Sequence, residues 1–358
     1  MAEHVVSVPF PAVPKKKREQ VVHTQEQYGL RPEASEFPMM LVLSFVYPCN
    51  ALCPHCPYTN SNIRDTYKDA PYMSEEIFKK IADESGPHGA YLRISGGGEP
   101  MLHPRSWELL VYAKSMGCKV GLITNGSCFT ERNSRLLLEA GVDMIEFSVD
   151  ACDEKTYDVV RKGLKWERLL KNARRMLAMR DNLRSTSKII ASGVDQKGVD
   201  IEAVERFWRD EMGVDNFIKR KFLTWGVNTS LDSSRSADPA AYLNTDEVPC
   251  PFIFERLNID SRGNVMVCGY DISANTSMGI VGKQSIRDIW HGEGFRFYRE
   301  KHLANRGSEI LMCASCPDWK YRSWQHNYWK VVDNAETVRQ QKMSKLSEHD
   351  DFQTPSME

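Results

Sequence analysis

The stretch KVGLITNGSCFTERNSRLLLEAGVDMIEFSV, Lys119–Val149, decides the fold. Lys119–Thr124 is a short run of strand formers broken by Asn125-Gly126. Thr130–Ala140 reads as a helix closed by Gly141, and Met144–Val149 as a second strand. A strand, a helix and another strand in so short a span predict parallel pairing through a right-handed crossover.

The alternation extends in both directions. Leu41–Val46 and Ala90–Ser95 read as strands. A helix opens at Ser74-Glu75-Glu76, a capping serine with acids in the first turn, and runs to about Glu84. Pro104–Met116 is a helix with proline at its start and Gly117 past its end. Downstream, Trp166–Arg180 is amphipathic, and Lys188–Ser192, Ile201–Met212 and Asn216–Phe222 give strand, helix, strand. About six strand–helix units suit a partial (β/α)6 barrel better than the closed eight-unit one. The fold class is therefore α/β, a partial barrel over residues 39–225, after an irregular lead-in over 1–38.

Residues 226–249 are rich in Ser, Asp, Asn and Pro and read as a linker. Beyond it, Arg256–Asp260 and Asn264–Val267 flank Ser261-Arg262-Gly263, a hairpin signal. A helix around Ser285–His302 and an aromatic stretch, Trp319 to Trp329, follow. Residues 250–330 thus form a small second domain, and 331–358 a polar tail whose last twenty or so residues are expected to fray.

Composition narrows the function. With a net charge of −1 and 27% charged residues, nothing pulls the chain toward nucleic acid or anionic membrane. No apolar run approaches the roughly 20 residues of a spanning helix. Lys15-Lys16-Lys17-Arg18 follows the mild apolar stretch Val5–Val13, the reverse of secretory-signal order, so a cytoplasmic location is expected. Ten cysteines in such a chain point to metal or redox chemistry rather than disulfides. Cys118, Cys128 and Cys152 are scattered and read as small buried side chains. The others form two sets.

The first set, Cys49-Asn-Ala-Leu-Cys53-Pro-His-Cys56, follows the first strand, where parallel α/β folds bind ligands. Three thiolates can hold three corners of a cubane and leave one iron open, whereas a closed structural site takes four ligands. His55 as a fourth ligand would strain the loop. Ser95-Gly-Gly-Gly-Glu-Pro100 ends the second strand, Thr124-Asn125-Gly126 the third and Ser148-Val149-Asp150 the fourth. Together these motifs resemble the radical S-adenosylmethionine superfamily. The resemblance implies a [4Fe–4S] cluster on Cys49, Cys53 and Cys56 whose open iron chelates S-adenosylmethionine. It also implies cleavage of that molecule to a 5'-deoxyadenosyl radical, with electrons from a flavodoxin- or ferredoxin-type reductant. By the same resemblance Gly97, Gly98 and Glu99 meet the methionine amino group, Ser148 and Asp150 the ribose or methionine moiety, and Arg161 the carboxylate. Arg161 reads equally well as a solvated arginine at a helix end.

The second set is Cys250, Cys268, Cys313 and Cys316. By spacing, four thiolates suit zinc or a closed iron–sulfur cluster equally. The set resembles the C-terminal SPASM/twitch extension of the same superfamily, which implies an auxiliary [4Fe–4S] cluster. The full SPASM pattern continues with more cysteines, but none follows Cys316. One closed cluster, suited to moving an electron, is the expectation, with Trp319, Tyr321, Trp324, Tyr328 and Trp329 packed over it.

The implied substrate is a small molecule. The lead-in is about half the length of the peptide-recognition domain that many peptide-modifying relatives carry. Oxidation or epimerisation of a hydroxyl-bearing carbon in a carbohydrate-like or aminocyclitol compound is expected. Epimerisation needs a hydrogen donor, for which Cys118, Cys128 or Cys152 would serve. Modification of a ribosomal peptide or protein side chain is the alternative, and an iron–sulfur electron carrier or scaffold the non-enzymatic one. Lys219 and Lys221 alternate on the sixth strand and face either the barrel interior or solvent. No residue stands out as a general base.

Overall fold

Six strands enter one sheet in chain order, each parallel to the last, because each is followed by a helix that carries the chain back. They are β1 (Met40–Leu43), β2 (Tyr91–Ile94), β3 (Lys119–Thr124), β4 (Met144–Ser148), β5 (Lys188–Asp195) and β6 (Asn216–Lys221). The returning helices are α1 (Glu75–Ser85), α2 (Ser106–Ser115), α3 (Glu131–Glu139), α4 (Glu154–Val160), α5 (Trp166–Asn182) and α6 (Ile201–Arg206). The computed structural model describes residues 32–59, 62–223, 225, 231, 236, 249–314, 316 and 328–351. The expected linker and Trp319, Tyr321 and Trp324 lie wholly or mostly outside these residues.

Local chemistry sets the helix starts. The Ser74 hydroxyl accepts the Ile77 amide proton at α1, and Thr130 forms a reciprocal capping box with Asn133 at α3. Asp153 and Asp200 cap α4 and α6 by accepting the amide protons of Thr156 and Ala203. Alternation along the strands then sorts the side chains. Leu41, Leu43, Leu92, Ile94, Val120, Leu122, Ile145 and Phe147 join the main core with Phe78, Ile81, Leu110 and Leu137 of the helices. Met40, Tyr91, Met144, Ile190 and Ile218, from the alternate positions, form a second cluster on the opposite face of the sheet.

The second half of the chain continues the same sheet. β7 (Arg256–Ile259) pairs parallel to β1, matching Leu41 with Leu257, and β8 (Asn264–Met266) and β9 (Ser277–Ile280) follow antiparallel. The order is therefore β6-β5-β4-β3-β2-β1-β7-β8-β9. Gly263, at φ +83°, makes the hairpin expected at Ser261-Arg262-Gly263. The single helix expected over Ser285–His302 is two, α7 (Ile286–His291) and α8 (Glu293–Leu303), parted by extended backbone at Gly292.

The polar tail does not fray through residue 351: Tyr328–Asp351 is a helix, α9. Ala335 packs with Met40, Tyr91 and Ile218 on the inner face, and Val331 and Val332 join them. Arg339, only 1% exposed, donates from two nitrogens to the Ser185 carbonyl at 2.9 and 2.6 Å and to Asp181 at 2.7 Å. Lys188–Glu336 at 2.6 Å and Lys342–Asp215 at 2.8 Å complete the attachment. No helix among the described residues is long and apolar enough to cross a membrane.

Candidate functional site

The three-cysteine loop leaves the end of β1 and is pinned by the neighbouring strand ends. The Leu52 amide donates to the Lys162 carbonyl at 2.7 Å, next to Gly163. Asn50 accepts from the Asn125 side-chain amide at 2.9 Å and donates to the Ser127 hydroxyl at 2.8 Å. The Glu99 amide donates to the Pro48 carbonyl at 3.0 Å. A Cβ on Gly97 would lie 2.2 Å from the Val46 carbonyl oxygen, and one on Gly98 1.9 Å from that of Pro48. Glycines stand there because the end of β2 touches the cysteine loop backbone to backbone.

Glu99 is 2% exposed and its oxygens accept from Thr124 Oγ1 at 2.6 Å and from the amides of Asn125 at 2.7 Å and Met101 at 3.1 Å. Burial pushes its pKa up against those donors. The carboxylate thus ties the ends of β2 and β3 together.

Asp150, at φ +57° and wholly buried, joins three elements. Its Oδ1 accepts the Val194 amide proton at 2.7 Å, and its Oδ2 lies 2.7 Å from Arg161 Nε and 3.2 Å from His55 Nε2. Arg161 Nη1 is 3.8 Å from Cys53 Sγ. Arg161, at the end of α4, is therefore part-buried against the cysteine loop rather than solvated. Its pKa rises because Asp150 and Cys53 outweigh the cost of burial. The Gln196 amide faces the other ring nitrogen of His55 at 3.3 Å. With both nitrogens so engaged, His55 is turned toward Asp150.

Burial pushes the Cys49 thiol up to about 11 and raises Cys53, with Arg64 or Arg161 opposing in each case. Buried thiols with cations beside them fit a site that holds thiolates on a metal cluster. All three cysteines, with Gly97, Gly98, Glu99, Ser148, Asp150 and Arg161, line one cavity of about 460 Å3. The sequence-read residues are brought together.

Sequence reading missed other parts of this cavity. Arg64, from the turn Ile63–Thr66, donates to the Gly97 carbonyl through two nitrogens at 3.3 Å. On β6, of the two readings open for Lys219, the outward one fits. Lys219 pairs outward with Glu202 at 2.5 Å and Glu205 at 2.8 Å on the outer helix, while Arg220 turns inward onto Glu146. Glu146 is 0% exposed: burial raises its pKa, but Arg220 and Arg93 outweigh that and hold the carboxyl below its usual range. Cys118, Cys128 and Cys152 do not line the cavity, and Cys118 donates to the Ala82 carbonyl within the core.

The second cysteine set gathers beside β7 and β8. Burial pushes the Cys268 thiol up to about 12, and Cys250 and Cys313 also rise, each further raised by others of the set. That mutual effect requires the thiols to lie near one another. His302, 1% exposed at the end of α8, accepts the Cys250 amide proton at Nδ1 (3.3 Å). The proton then sits on Nε2, 3.5 Å from Cys313 Sγ. Burial lowers the His302 pKa to about 4, so the ring is neutral. No sequence motif marked this residue. Among the described residues, no three His, Cys, Asp or Glu side chains converge on a position for one metal ion.

Comparison with known proteins identifies the superfamily. The family model of the radical SAM superfamily matches residues 43–206, and that of an iron–sulfur cluster-binding domain, SPASM, matches 250–317. A tungsten-containing aldehyde ferredoxin oxidoreductase cofactor-modifying protein of Pyrococcus furiosus is 33% identical over 112 residues, 31% of this chain and 30% of that protein. An AdoMet-dependent heme synthase of Methanosarcina barkeri is 28% identical over 124 residues, 35% of this chain and 34% of that protein. The matched segment thus spans about a third of either curated relative. The crystal structure of Streptococcus suis SuiB bound to S-adenosylmethionine shares the fold, with a TM-score of 0.60 and 16% identity over 85% of this chain and 75% of SuiB. The two family matches cover more than half of the residues, and the chain belongs to the radical S-adenosylmethionine superfamily, with S-adenosylmethionine, a [4Fe–4S] cluster and an auxiliary iron–sulfur cluster as its cofactors.

Proposed function

We propose that this enzyme oxidises a hydroxyl-bearing carbon of a small polar molecule by radical dehydrogenation. Cys49, Cys53 and Cys56 would hold the cluster that binds S-adenosylmethionine, and Cys250, Cys268, Cys313 and Cys316 the auxiliary one. Gly97, Gly98, Ser148 and Arg161 line the S-adenosylmethionine site in this reading, while Glu99 and Asp150 hold its walls. The cofactors supply the radical chemistry: reductive cleavage of S-adenosylmethionine generates the species that removes a hydrogen atom, and the auxiliary cluster suits the remaining electron. A flavodoxin- or ferredoxin-type protein would deliver the reducing electron.

The observation that carries this reading is the wall of the cavity beyond the cysteine loop. Arg93, Arg220, Asn258 and Ser192 line it, so the interior offers hydrogen bonds to a polar ligand. Phe252, Tyr270 and Trp225 close another side, with Trp225 and Tyr270 edge to face at 5.2 Å. Phe252 and Tyr270 each stand two residues past a cysteine of the second set, which sets that wall against the auxiliary site. Oxidation is favoured over epimerisation because Cys118, Cys128 and Cys152, the expected hydrogen donors, do not reach the cavity.

The test uses reduced, anaerobically reconstituted protein and C-deuterated polyols and sugar acids. The reading predicts deuterium in 5'-deoxyadenosine and one S-adenosylmethionine consumed per carbonyl product. Deuterium transfer from a peptide and from none of these compounds would replace it with the maturase reading.

A further inference from the structure

Resting on the reading that a small polar substrate occupies the barrel interior, we propose that this substrate carries an oxyanion, a carboxylate or phosphate, bound by Arg93, Asn258 and Arg256. Val42 on β1 pairs with Arg93 on β2 and with Asn258 on β7, so the three side chains form one row across the sheet. All three line the cavity. The row lies two residues, about 7 Å, before the level of Ser44 and Ser95, and so away from the cysteine loop. Arg256 is two residues before Asn258 on the same strand and lines the same cavity.

The row itself contains donors and no acidic group; Glu255, beside it, also lines the cavity and is engaged by Arg256. Asn258 is 4% exposed, and its side-chain nitrogen has no hydrogen-bond partner among the described residues. Arg256 is held by Glu255 and lies over the Phe252 ring at 4.3 Å, yet its Nε is likewise buried without a partner. Glu146, the counter-charge for Arg93 and Arg220, is not among the residues that line the cavity. An ion-pair network serving stability alone would have no use for an unpaired amide nitrogen and an unpaired guanidinium nitrogen on residues that line the cavity beside it. Leaving buried donors unmet is costly, and an oxyanion accepting from both would meet them. Planar arginine forks suit carboxylate and phosphate alike.

Calorimetric titration of the reconstituted full chain with bound S-adenosylmethionine tests this. The probes are D-glucuronate, D-glucose 6-phosphate and D-glucose, which differ in the anion on a common ring. At least one anion is expected to bind ten-fold or more tightly than glucose, and which one does so separates carboxylate from phosphate. Asn258→Leu and Arg256→Gln are each expected to weaken that binding ten-fold or more, with retained S-adenosylmethionine affinity reporting folding. Glucose binding as tightly as both anions, no binding by any probe, or anion affinity unchanged in both variants would overturn the proposal. The wild-type comparison decides even if both variants misfold. Anion binding without deuterium transfer to 5'-deoxyadenosine would sink the oxidation reading and leave the subsite standing.

Discussion

Asp150 and His302 do comparable work at the two cysteine sets. Asp150 holds a cation, Arg161, against Cys53, and His302 presents a ring proton toward Cys313. Partners of this kind orient a ligand and tune the group it holds, and losing one costs about 10- to 100-fold in metal affinity. His302→Leu is therefore expected to lower the reduction potential of the auxiliary cluster and its retention, while the first cluster keeps its own signal. Redox titration followed by electron paramagnetic resonance reads both; an unmoved auxiliary potential would remove His302 from this role. Gly98 makes a sharper case. With 1.9 Å between an added Cβ and the Pro48 oxygen, Gly98→Ala must push the cysteine loop off the end of β2. Loss of S-adenosylmethionine binding in equilibrium dialysis is the expected result. The glycines and the cysteines were legible because each belongs to a short local motif, whereas Arg161 read equally well as a solvated arginine. His302, Arg64 and Arg93 were not legible, because what brings them to the site is tertiary.

The strands and helices show where alternation suffices as a guide and where it fails. β1 to β6 were readable from apolar runs and from caps such as Ser74 and Thr130. On β6, basic residues occupy Lys219, Arg220 and Lys221 in succession, so composition cannot say which one turns inward. Glu146 on β4 settles it by capturing Arg220. Glu146→Gln leaves Arg93 and Arg220 without their buried counter-charge and is expected to destabilise the protein by about 3 kcal/mol. Because the Glu146 carboxyl titrates below its usual range, its contribution is complete above about pH 6, where the unfolded carboxyl is also ionised, and is lost as the pH falls below the ordinary carboxylate range. The deficit of the variant should stay constant between about pH 6 and 9, which thermal melts across that window check. α9 escaped sequence reading because it has no broad apolar stripe: its attachment combines a few apolar residues with Arg339, Glu336 and Lys342. Removing the buried Arg339 guanidinium strands the Ser185 carbonyl, and Arg339→Ala should cost about 2 kcal/mol, seen as a lower urea midpoint.

Across the whole molecule, the two cysteine sets are carried by one continuous sheet. The sequence suggested two successive domains, since the alternation stops near Thr224. What it could not reveal is the parallel pairing of β7 with β1, a contact between segments more than two hundred residues apart. That pairing brings Asn258 and Arg256 into the barrel, so the later segment supplies part of the cavity wall as well as four cysteines. The two sites should separate experimentally. Cys250→Ala with Cys316→Ala is expected to reduce iron from about eight to about four per chain and leave S-adenosylmethionine cleavage in place. Formation of an oxidised product should be lost in the same variant.

The claim on which everything else rests is that Cys49, Cys53 and Cys56 hold the cluster that cleaves S-adenosylmethionine. Its most direct test is the yield of 5'-deoxyadenosine from dithionite-reduced, anaerobically reconstituted protein, alongside Cys53→Ala prepared in the same way. The account predicts 5'-deoxyadenosine and methionine in equal amounts from the wild type and none above background from the variant. No 5'-deoxyadenosine from the wild type, or an undiminished yield from Cys53→Ala, would contradict it.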